Sequence, residues 1–271
     1  MKMLLEQIVS NKKREVAGME ALRPLGIITS ALGNMEKPRS FKQNLQGSSG
    51  LKIIAEVKRA SPVKGLLCSD FDPVRLARAY QRGGAGAISV ITEKKYFKGD
   101  PAYISQVKKC TELPVLRKDF ILNEYQVFES RVLGADAILL IVSILDQYML
   151  RRLVSLAADL GMAALVEVHG KDELKQAIDA GADVIGINNR NLKTFNVSLS
   201  ATLQLAGDIP EDTLVVSESG IASREDILLL EQAGVDAALI GETLVRSKDP
   251  SARLKELQGL PAGKGAEAQC G

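Results

Sequence analysis

The 271-residue chain has few of the residues on which several classes of function depend. It contains no tryptophan, 4% of its residues are aromatic, and its only histidine is His169. Base-stacking platforms need aromatic side chains, and a net charge of +2 is too small for an electrostatic nucleic-acid surface. A single histidine nearly excludes a histidine metal cluster or a Ser-His-Asp triad supported by a second histidine. We therefore expect no nucleic-acid partner and no metal site.

Cysteines and long apolar stretches are also scarce. The three cysteines, Cys68, Cys110 and Cys270, lie far apart, show no metal-ligand spacing and are odd in number. This argues against a disulfide framework and fits a reducing compartment. No apolar run approaches the roughly 20 residues that span a bilayer, and Glu6 interrupts the short apolar start of the chain. These features predict a cytoplasmic protein with no signal peptide and no membrane partner.

An internal repeat organises the chain beyond residue 50. A glycine followed by small or apolar residues recurs at 84–87, 134–137, 181–184 and 234–237, and the last three copies have aspartate at their third position. Each copy precedes an apolar run, which is typical of a glycine that ends a helix before a buried parallel strand. The copies lie roughly fifty residues apart, about twice the length of a compact strand–helix unit. Another strand is therefore expected between each pair of copies.

The repeat predicts eight strands, each followed by an amphipathic helix. The strands fall at 53–58, 88–91, 114–118, 138–141, 163–168, 185–187, 213–217 and 238–240. The helices fall at about 73–83, 101–110, 123–133, 146–160, 171–180, 198–206, 223–233 and 250–258. Eight such units favour an α/β fold, a single (β/α)8 barrel. The alternative is a doubly wound open sheet, but no G-x-G-x-x-G sequence follows the first strand.

The first fifty residues lie outside the repeat. Apolar residues at helical spacing predict a first helix there, namely Leu4, Leu5, Ile8 and Val9. A second, short helix is expected near residues 39–45. We interpret residues 1–50 as a helical extension over the active-site face and 51–260 as the barrel. Residues 261–271, rich in glycine and alanine, are expected to form a disordered tail.

Polar residues concentrate at the carboxyl ends of the predicted strands, where (β/α)8 barrels carry their activity. Because side chains alternate along a strand, parity directs one set towards the barrel axis: Glu56, Lys58, Lys118, Glu167, Asn188 and Glu218. Glu56 and Lys58 alone are equally well explained by a mutual ion pair. Six polar groups converging on one mouth indicate catalysis instead. A lysine whose pKa is lowered by a second lysine would serve as a general acid or a Schiff-base nucleophile.

Four further residues near the strand ends carry separate expectations. Arg117 has the outward parity and is expected to form an ion pair in the helix layer. His169 is interpreted as a structural or rim residue and not as a ligand. Phe97 and Phe120 lie in the loops after the second and third strands, where they could face a planar ligand.

The loops after the last two strands predict a phosphate site. Gly220 and Gly241 each lie at a strand-to-helix turn, within the segments 219–222 and 240–244. Backbone N–H groups at such a turn can approach a phosphate, assisted by a helix N-terminus. Either glycine alone is also consistent with a simple tight turn, but two of them in the last two units favour phosphate binding.

These residues and their flanking motifs resemble the indole-3-glycerol phosphate synthase family of tryptophan biosynthesis. Nearly the whole chain is covered, most clearly by Ala-Glu-Val-Lys-Arg-Ala-Ser-Pro at 55–62, Leu-Arg-Lys-Asp-Phe at 116–120, Leu-Val-Glu-Val-His at 165–169, Gly-Ile-Asn-Asn-Arg-Asn-Leu at 186–192 and Ser-Glu-Ser-Gly-Ile at 217–221. The resemblance implies a phosphate-binding (β/α)8 barrel. It implies ring closure and decarboxylation of 1-(2-carboxyphenylamino)-1-deoxyribulose 5-phosphate to indole-3-glycerol phosphate, CO2 and water. No cofactor is implied, because the iminium formed by ring closure accepts the electrons released with CO2.

The resemblance also implies roles for the charged residues. Lys118 would be the general acid that protonates the substrate carbonyl or hydroxyl oxygen. Lys58 would neutralise the substrate carboxylate or share the acid role. Glu167 would stabilise the cationic ring intermediate and assist the loss of water. Glu56 and Glu218 would orient the two lysines and tune their pKa values.

Substrate binding is implied for a second set of residues. Asn188 and Arg190 would hold the substrate and the loop geometry. The remaining substrate contacts would come from Ser219, Phe97 and Phe120, and the phosphate contacts from Ser61, Gly220, Gly241 and Glu242. The partner is then an anionic small-molecule substrate, and the chain is expected to be a monomer or a weak homodimer.

Two other interpretations stay open at the level of sequence. One is a class I aldolase on another phosphate-binding barrel, with Lys118 as the Schiff-base residue. The other is a catalytically silent barrel that only binds phosphorylated metabolites. The set of charged strand ends argues against a silent barrel, because simple binding gains little from so many buried charges.

Overall fold

The computed structural model describes residues 2–47, 50–190 and 196–261. Parallel strands close into an eight-stranded barrel, in which β1 pairs with both β2 and β8. The strands are β1 Lys52–Val57, β2 Ala87–Ile91, β3 Val115–Lys118, β4 Ala137–Ile141, β5 Ala163–Val168, β6 Val184–Asn188, β7 Leu214–Glu218 and β8 Ala237–Ile240. The predicted (β/α)8 barrel is therefore confirmed, with every strand boundary within one residue of its expected place.

Helices follow the barrel strands and cover the outside of the barrel. Within the described residues they are α1 Lys2–Leu22, α2 Leu25–Ser30, α3 Phe41–Leu45, α4 Pro73–Arg82, α5 Ala102–Cys110, α6 Glu124–Leu133, α7 Gln147–Asp159, α8 Lys171–Asp179, α9 Ser200–Leu205, α10 Arg224–Gln232, α11 Glu242–Val245 and α12 Pro250–Leu257. Capping side chains fix the residues at which several helices begin. Asp72 accepts hydrogen bonds from two backbone N–H groups of α4, and Ser223 and Asp226 form a reciprocal capping box on α10.

Alternating side chains divide the apolar residues of the strands into two layers. Ile54, Leu116 and Leu165 point into the barrel, while Ile53 and Ile88 pack against the helices. All five are fully buried. Burial of a side chain of this size stabilises the fold by about 2 kcal/mol. The two layers fix the strands from both sides and so give the polar strand ends a rigid support.

The extension contains one helix that the sequence patterns missed. Those patterns predicted a first helix and a short one near residues 39–45, and α1 and α3 lie there. They missed α2, because Pro24 and Gly26 indicated a break in the chain. Pro24 instead directly precedes α2, where an intrahelical N–H bond is not required, and Ile28 of α2 is fully buried. The division into an extension and a barrel stays a prediction.

Helix α1 contacts the loops at the carboxyl ends of β2 and β3. Lys12 Nζ lies 3.0 Å from Asp119 Oδ1, and both side chains are almost fully buried. Asn11 donates a hydrogen bond to the hydroxyl of Tyr96 in the loop after β2. Burial by itself would lower the pKa of Lys12, but the carboxylates of Asp119 and Glu15 raise it. The extension is thus joined to the active-site face of the barrel by a buried ion pair.

Three expectations about the whole chain concern membranes, cysteines and the tail. Among the helices of residues 2–47, 50–190 and 196–261, none has the length and apolar character to cross a membrane. Cys68 and Cys110 are free thiols. Of the predicted tail, only Pro261 lies in the described part of the chain, and residues 262–271, with Cys270, lie outside it.

Candidate active site

The carboxyl end of β1 places an acid and a base side by side. Lys58 Nζ lies 2.6 Å from Glu56 Oε1, so the mutual ion pair that the sequence suggested is present. Glu56 is 4% exposed. Its backbone carbonyl accepts a hydrogen bond from the buried hydroxyl of Tyr80 on α4, which ties this strand to the helix layer. The pair therefore stands at a fixed place on the barrel mouth.

Lys118, at the end of β3, is the centre of the site. Its Nζ lies 2.8 Å from Glu218 Oε2 on β7 and 3.1 Å from Glu167 Oε2 on β5. Both glutamates are almost fully buried, and the lysine side chain is 15% exposed. Burial by itself would lower the pKa of Lys118, but the negative charges of Glu218, Glu167 and Glu56 outweigh it and raise that pKa. Lys118 is accordingly a fully protonated ammonium group at neutral pH.

This environment corrects the expectation of a lysine pKa lowered by a second lysine. The nearest charges to Lys118 are carboxylates, and Lys58 is paired with Glu56 instead. A Schiff base requires a neutral amine, which three surrounding carboxylates disfavour. The geometry therefore suits a proton donor and argues against the aldolase interpretation.

The pKa values of the two glutamates around Lys118 are shifted in opposite directions. Burial raises the pKa of Glu218 and Lys118 lowers it, but the adjacent charge of Glu167 adds to burial, and the pKa is raised to about 7. For Glu167, burial is outweighed by Lys118 and His169, and the pKa is lowered. Among the described residues, Glu218 Oε1 has no hydrogen-bond partner. One carboxylate is thus held ionised, while the other titrates near neutrality.

Two glycines leave space for the carboxylates of Glu218 and Glu56. A Cβ atom on Gly186 of β6 would lie 2.4 Å from Glu218 Oε1, and one on Gly241 would lie 2.2 Å from Glu56 Oε1. Such distances are far below van der Waals contact, so any other residue would displace the glutamate. Sequence reasoning assigned Gly241 to phosphate binding and gave Gly186 no function. The geometry gives each of them a steric role, which is to let a buried glutamate carboxylate lie against the backbone.

Replacement of Gly186 by alanine should therefore lower activity without unfolding the protein. The clashing atom is the mobile end of a glutamate, which can rotate away, so the unfolding midpoint should stay close to that of the parent. Rotation of Glu218 would disturb its ion pair with Lys118, and a displacement of about 1 Å at a reacting group costs on the order of 100-fold in rate. Steady-state kinetics and thermal unfolding of Gly186→Ala would measure both effects.

Gly207→Ala is the matched control, because no atom lies within 4 Å of a Cβ atom built on Gly207. The control should keep parental activity and stability. Parental activity in Gly186→Ala would contradict the role given to Gly186.

Asn188 links Glu167 to the loop after β6. It lies at the end of that strand and makes a side-chain hydrogen bond to Glu167. Its Oδ1 accepts a hydrogen bond of 3.0 Å from the backbone N–H of Arg190. The backbone of Arg190 also forms a bridge to Val197, across the loop. Asn188 thus contacts Glu167 directly, and the backbone of Arg190 lies next to Asn188. Substrate binding by these two residues stays a prediction.

The turn after β7, where a phosphate site was predicted, has an unusual backbone conformation. Ser219 and Gly220 both have left-handed backbone angles, with φ of 69° and 82°. This costs a non-glycine residue such as Ser219 on the order of 1 kcal/mol, a strain that is typical of functional turns. A Cβ atom on Gly220 would also lie 2.5 Å from Val197 Cγ1. Successive N–H groups in such turns form concavities that bind anions.

The other predicted phosphate residues lie on the same side of the mouth, with one correction. Ser61 is in a hairpin in the loop after β1, which pairs Ala60–Ser61 with Gly65–Leu66. Its Oγ accepts a hydrogen bond from the backbone of Lys64. The carboxylate of Glu242 pairs with Lys64 Nζ at 2.7 Å and with Arg246 Nε at 3.2 Å. A negative side chain repels phosphate, so only the backbone N–H of Glu242 can contribute to that site.

Phe97 and Phe120 form an aromatic wall at the mouth. Their ring centroids are 6.3 Å apart with an interplanar angle of 43°, and both rings are half-buried. Glu93 accepts hydrogen bonds from the backbone N–H groups of Tyr96 and Phe97 and so fixes the loop that carries Phe97. Two partly exposed rings beside charged groups suit a substrate with a planar aromatic part.

Together, these features define a class of protein. A closed (β/α)8 barrel with lysines and glutamates gathered at the carboxyl end of its strands has the architecture of a (β/α)8-barrel enzyme, and glycine turns after the last two strands are typical of those that bind phosphorylated substrates.

The comparisons identify the family within that class. The family model for indole-3-glycerol phosphate synthase matches residues 5–257. The chain is 48% identical to that enzyme from Thermoanaerobacter pseudethanolicus, covering 91% of this chain and 94% of the relative. It is 44% identical to the enzyme from Alkaliphilus metalliredigens, covering 94% and 98%. The chain belongs to the indole-3-glycerol phosphate synthase family, and it is a carboxy-lyase of tryptophan biosynthesis.

A solved structure supports the fold independently. The 3-hexulose-6-phosphate synthase of Salmonella typhimurium superposes with a TM-score of 0.62 at 15% identity, covering 77% of this chain and 97% of that one. At this identity the likeness concerns the fold alone.

Proposed function

We propose that the chain closes the indole ring of 1-(2-carboxyphenylamino)-1-deoxyribulose 5-phosphate, with Lys118 as the general acid. The observation that supports this best is the position of Lys118 Nζ, within 3.1 Å of two buried carboxylates from β5 and β7. An ammonium group held in this way is charged, oriented and partly shielded from water. It is suited to donate to an oxygen on which negative charge develops.

Ring closure is the step in which that charge develops. The aryl carbon that bears the carboxylate attacks the ketone carbon, and the carbonyl oxygen becomes an alkoxide. An alkoxide is a much stronger base than an amine, so Lys118 transfers its proton readily even though its pKa is raised. The aryl group becomes a cation conjugated with the nitrogen. Glu167, whose pKa is lowered, remains an anion that stabilises this cation.

Loss of CO2 and of water completes the ring. The bond between the ring and the carboxylate breaks, and its electron pair returns to the cationic ring, which restores aromaticity. The hydroxyl then leaves as water after protonation, and a proton is lost from the neighbouring carbon. In this proposal Glu167 accepts the proton from carbon, and Lys118, after regaining a proton from solvent, protonates the leaving hydroxyl. The sequence of steps consumes one proton overall and requires no redox cofactor.

The remaining residues bind the substrate at its two anionic ends. Lys58 lies at the mouth beside Glu56 and is available to neutralise the substrate carboxylate. The phosphate would lie at the turns of Ser219–Gly220 and Gly241–Glu242, close to the hairpin of Ser61. Phe97 and Phe120 would pack against the aromatic ring.

The oligomeric state, a monomer or a weak homodimer, stays a prediction.

Direct turnover of the substrate tests the proposal. The chain should convert 1-(2-carboxyphenylamino)-1-deoxyribulose 5-phosphate to a product with indole absorbance and release one equivalent of CO2. Glu167→Gln keeps the size of the side chain but removes its charge, and it should lower kcat by on the order of 100-fold. Asp172→Asn, an exposed change on α8, is the control and should be silent. Absence of product with the parent chain would refute the proposed reaction.

A further inference from the structure

His169, the residue that follows β5, lies between two carboxylates. Its Nδ1 is 3.1 Å from Glu173 Oε2 on α8, and its Nε2 is 3.4 Å from Glu167 Oε1. Glu173 Oε2 also accepts a hydrogen bond of 2.8 Å from the backbone N–H of His169. The imidazole is 11% exposed. The ring is therefore anchored at one nitrogen, and its other nitrogen is directed at the catalytic glutamate.

The two oxygens of Glu167 face different partners. Oε2 contacts Lys118 Nζ at 3.1 Å, and Oε1 contacts His169 Nε2. Among the described residues, His169 Nε2 is buried without an aligned hydrogen-bond partner, since the 3.4 Å contact is an ion-pair distance with poor hydrogen-bond geometry. A buried ring nitrogen without an aligned hydrogen bond is stabilised most when it is protonated and lies beside a carboxylate such as that of Glu167. Glu167 is thus held between a permanent cation and a titratable one.

We propose that His169 is a positioning residue that, in its imidazolium form, fixes the Glu167 carboxylate opposite Lys118, with Glu173 as its anchor. The inference deepens the proposed function, on which the role of Glu167 rests. It concerns the relation between one histidine and one glutamate, not the chemistry that Glu167 performs.

The charges that face the imidazole favour its protonated form. The carboxylates are Glu173 on α8, Glu167 on β5 and Glu218 on β7. The opposing cation is Lys118 on β3, which lies on the far side of Glu167. Burial by itself would lower the pKa of His169, but Glu173, Glu167 and Glu218 raise it above its ordinary value. Since the folded-state pKa is raised, the imidazolium is complete at low pH and is lost as pH rises through that pKa. Positioning of Glu167, and with it kcat, should decline over the same range.

Nuclear magnetic resonance can test the contact without any activity measurement. His169 is the only histidine in the chain, so the imidazole signal of an untagged sample needs no assignment. Glu167→Gln and Glu173→Gln should each move its titration midpoint to lower pH, because each removes a negative charge that faces the ring. Asp172→Asn, which removes an exposed charge from the same helix, should leave the midpoint unchanged. An unchanged midpoint in Glu167→Gln would overturn the inference.

The pH dependence of kcat tests the consequence. The parent should lose activity with an inflection at the midpoint measured by resonance. His169→Gln retains an N–H donor but cannot titrate, so it should lack that inflection and have kcat about tenfold lower at its optimum. His169→Asn serves if the glutamine variant does not fold. Glu218 also titrates near neutrality in the parent and in the variants, so the diagnostic inflection is the one at the His169 midpoint measured by resonance. If an inflection at that midpoint persists in the variants, His169 does not position Glu167, although product formation by the parent would leave the proposed function intact.

Discussion

Lys118→Met should lower kcat/KM by at least about 10³-fold, the largest effect on activity that the structure predicts. Methionine has nearly the length of lysine but neither its charge nor its proton. The attacking ring would then develop an alkoxide with no adjacent donor. In addition, Glu167 and Glu218 would lose the cation that separates them, and one of them would take up a proton at neutral pH. Steady-state kinetics with the anionic substrate would measure the loss.

Two further variants show whether charge alone is sufficient. Lys118→Arg retains a positive charge but replaces a compact donor with a wide planar one, and it should recover only a small part of the activity. Lys175→Met removes an exposed lysine from α8 and should be silent. Activity of Lys118→Met within threefold of the parent would refute the general-acid role.

Arg117→Met should destabilise the fold by about 3–5 kcal/mol, the largest effect on stability. Arg117 is 1% exposed and follows the outward parity predicted for it. Its guanidinium pairs with Glu129 Oε2 at 2.7 Å and with Asp119 Oδ2 at 3.4 Å, and it donates to Ser130 Oγ at 3.0 Å. Burial by itself would lower the pKa of Arg117, but Asp119 and Glu129 raise it. Its removal leaves the partly buried Glu129 without this ion pair, and it leaves the buried Asp119 with Lys12 as its remaining cation.

The measurement is the free energy of unfolding in urea. Arg152→Met is the matched control, since Arg152 pairs with Glu124 at 2.7 Å on the surface. Exposed pairs contribute at most about 1 kcal/mol, so the control should be nearly neutral. Equal losses in the two variants would show that the buried network adds nothing. Because Asp119 also holds Lys12 of α1, the buried variant should loosen the extension as well.

The sequence was sufficient for the fold because its signals are local. Glycine before each apolar run marks where one helix ends and the next strand begins, and eight such units can close into one barrel. Parity also placed Glu56, Lys118, Glu167 and Glu218 on the inner side correctly, because side chains alternate regularly in strands. The sequence missed the short helices α2 and α11. In α2 the signals of Pro24 and Gly26 were outweighed by the burial of Ile28.

The pairing of side chains within the site could not be read from the sequence. Which residues meet depends on the register between strands, such as that which aligns Asn188 of β6 with Glu218 of β7. Parity gives the face of a strand but not its height in the barrel. Parity therefore left open which charged groups lie next to Lys118, and the register brings it to two glutamates. The pKa of Lys118 is raised because these neighbours are carboxylates.

Two roles were missed because they depend on contacts with distant residues. Gly186 looked like an ordinary strand residue, and only the position of Glu218 Oε1 explains its missing side chain. His169 looked structural, because nothing in its own segment shows that Nε2 faces Glu167. A glycine inside a buried strand is a weak sequence signal of close approach by another group, and it could have directed attention to Gly186.

The central claim is that Lys118 and Glu167 meet over one mouth whose far wall binds phosphate. The most direct test is a crystal structure of the chain with indole-3-glycerol phosphate bound. The account predicts the phosphate within about 3 Å of the backbone nitrogens of Gly220 and Gly241, and the indole ring between Lys118 and the Phe97–Phe120 wall. A phosphate bound elsewhere, or a Lys118 side chain turned away from the indole ring into the helix layer, would contradict it.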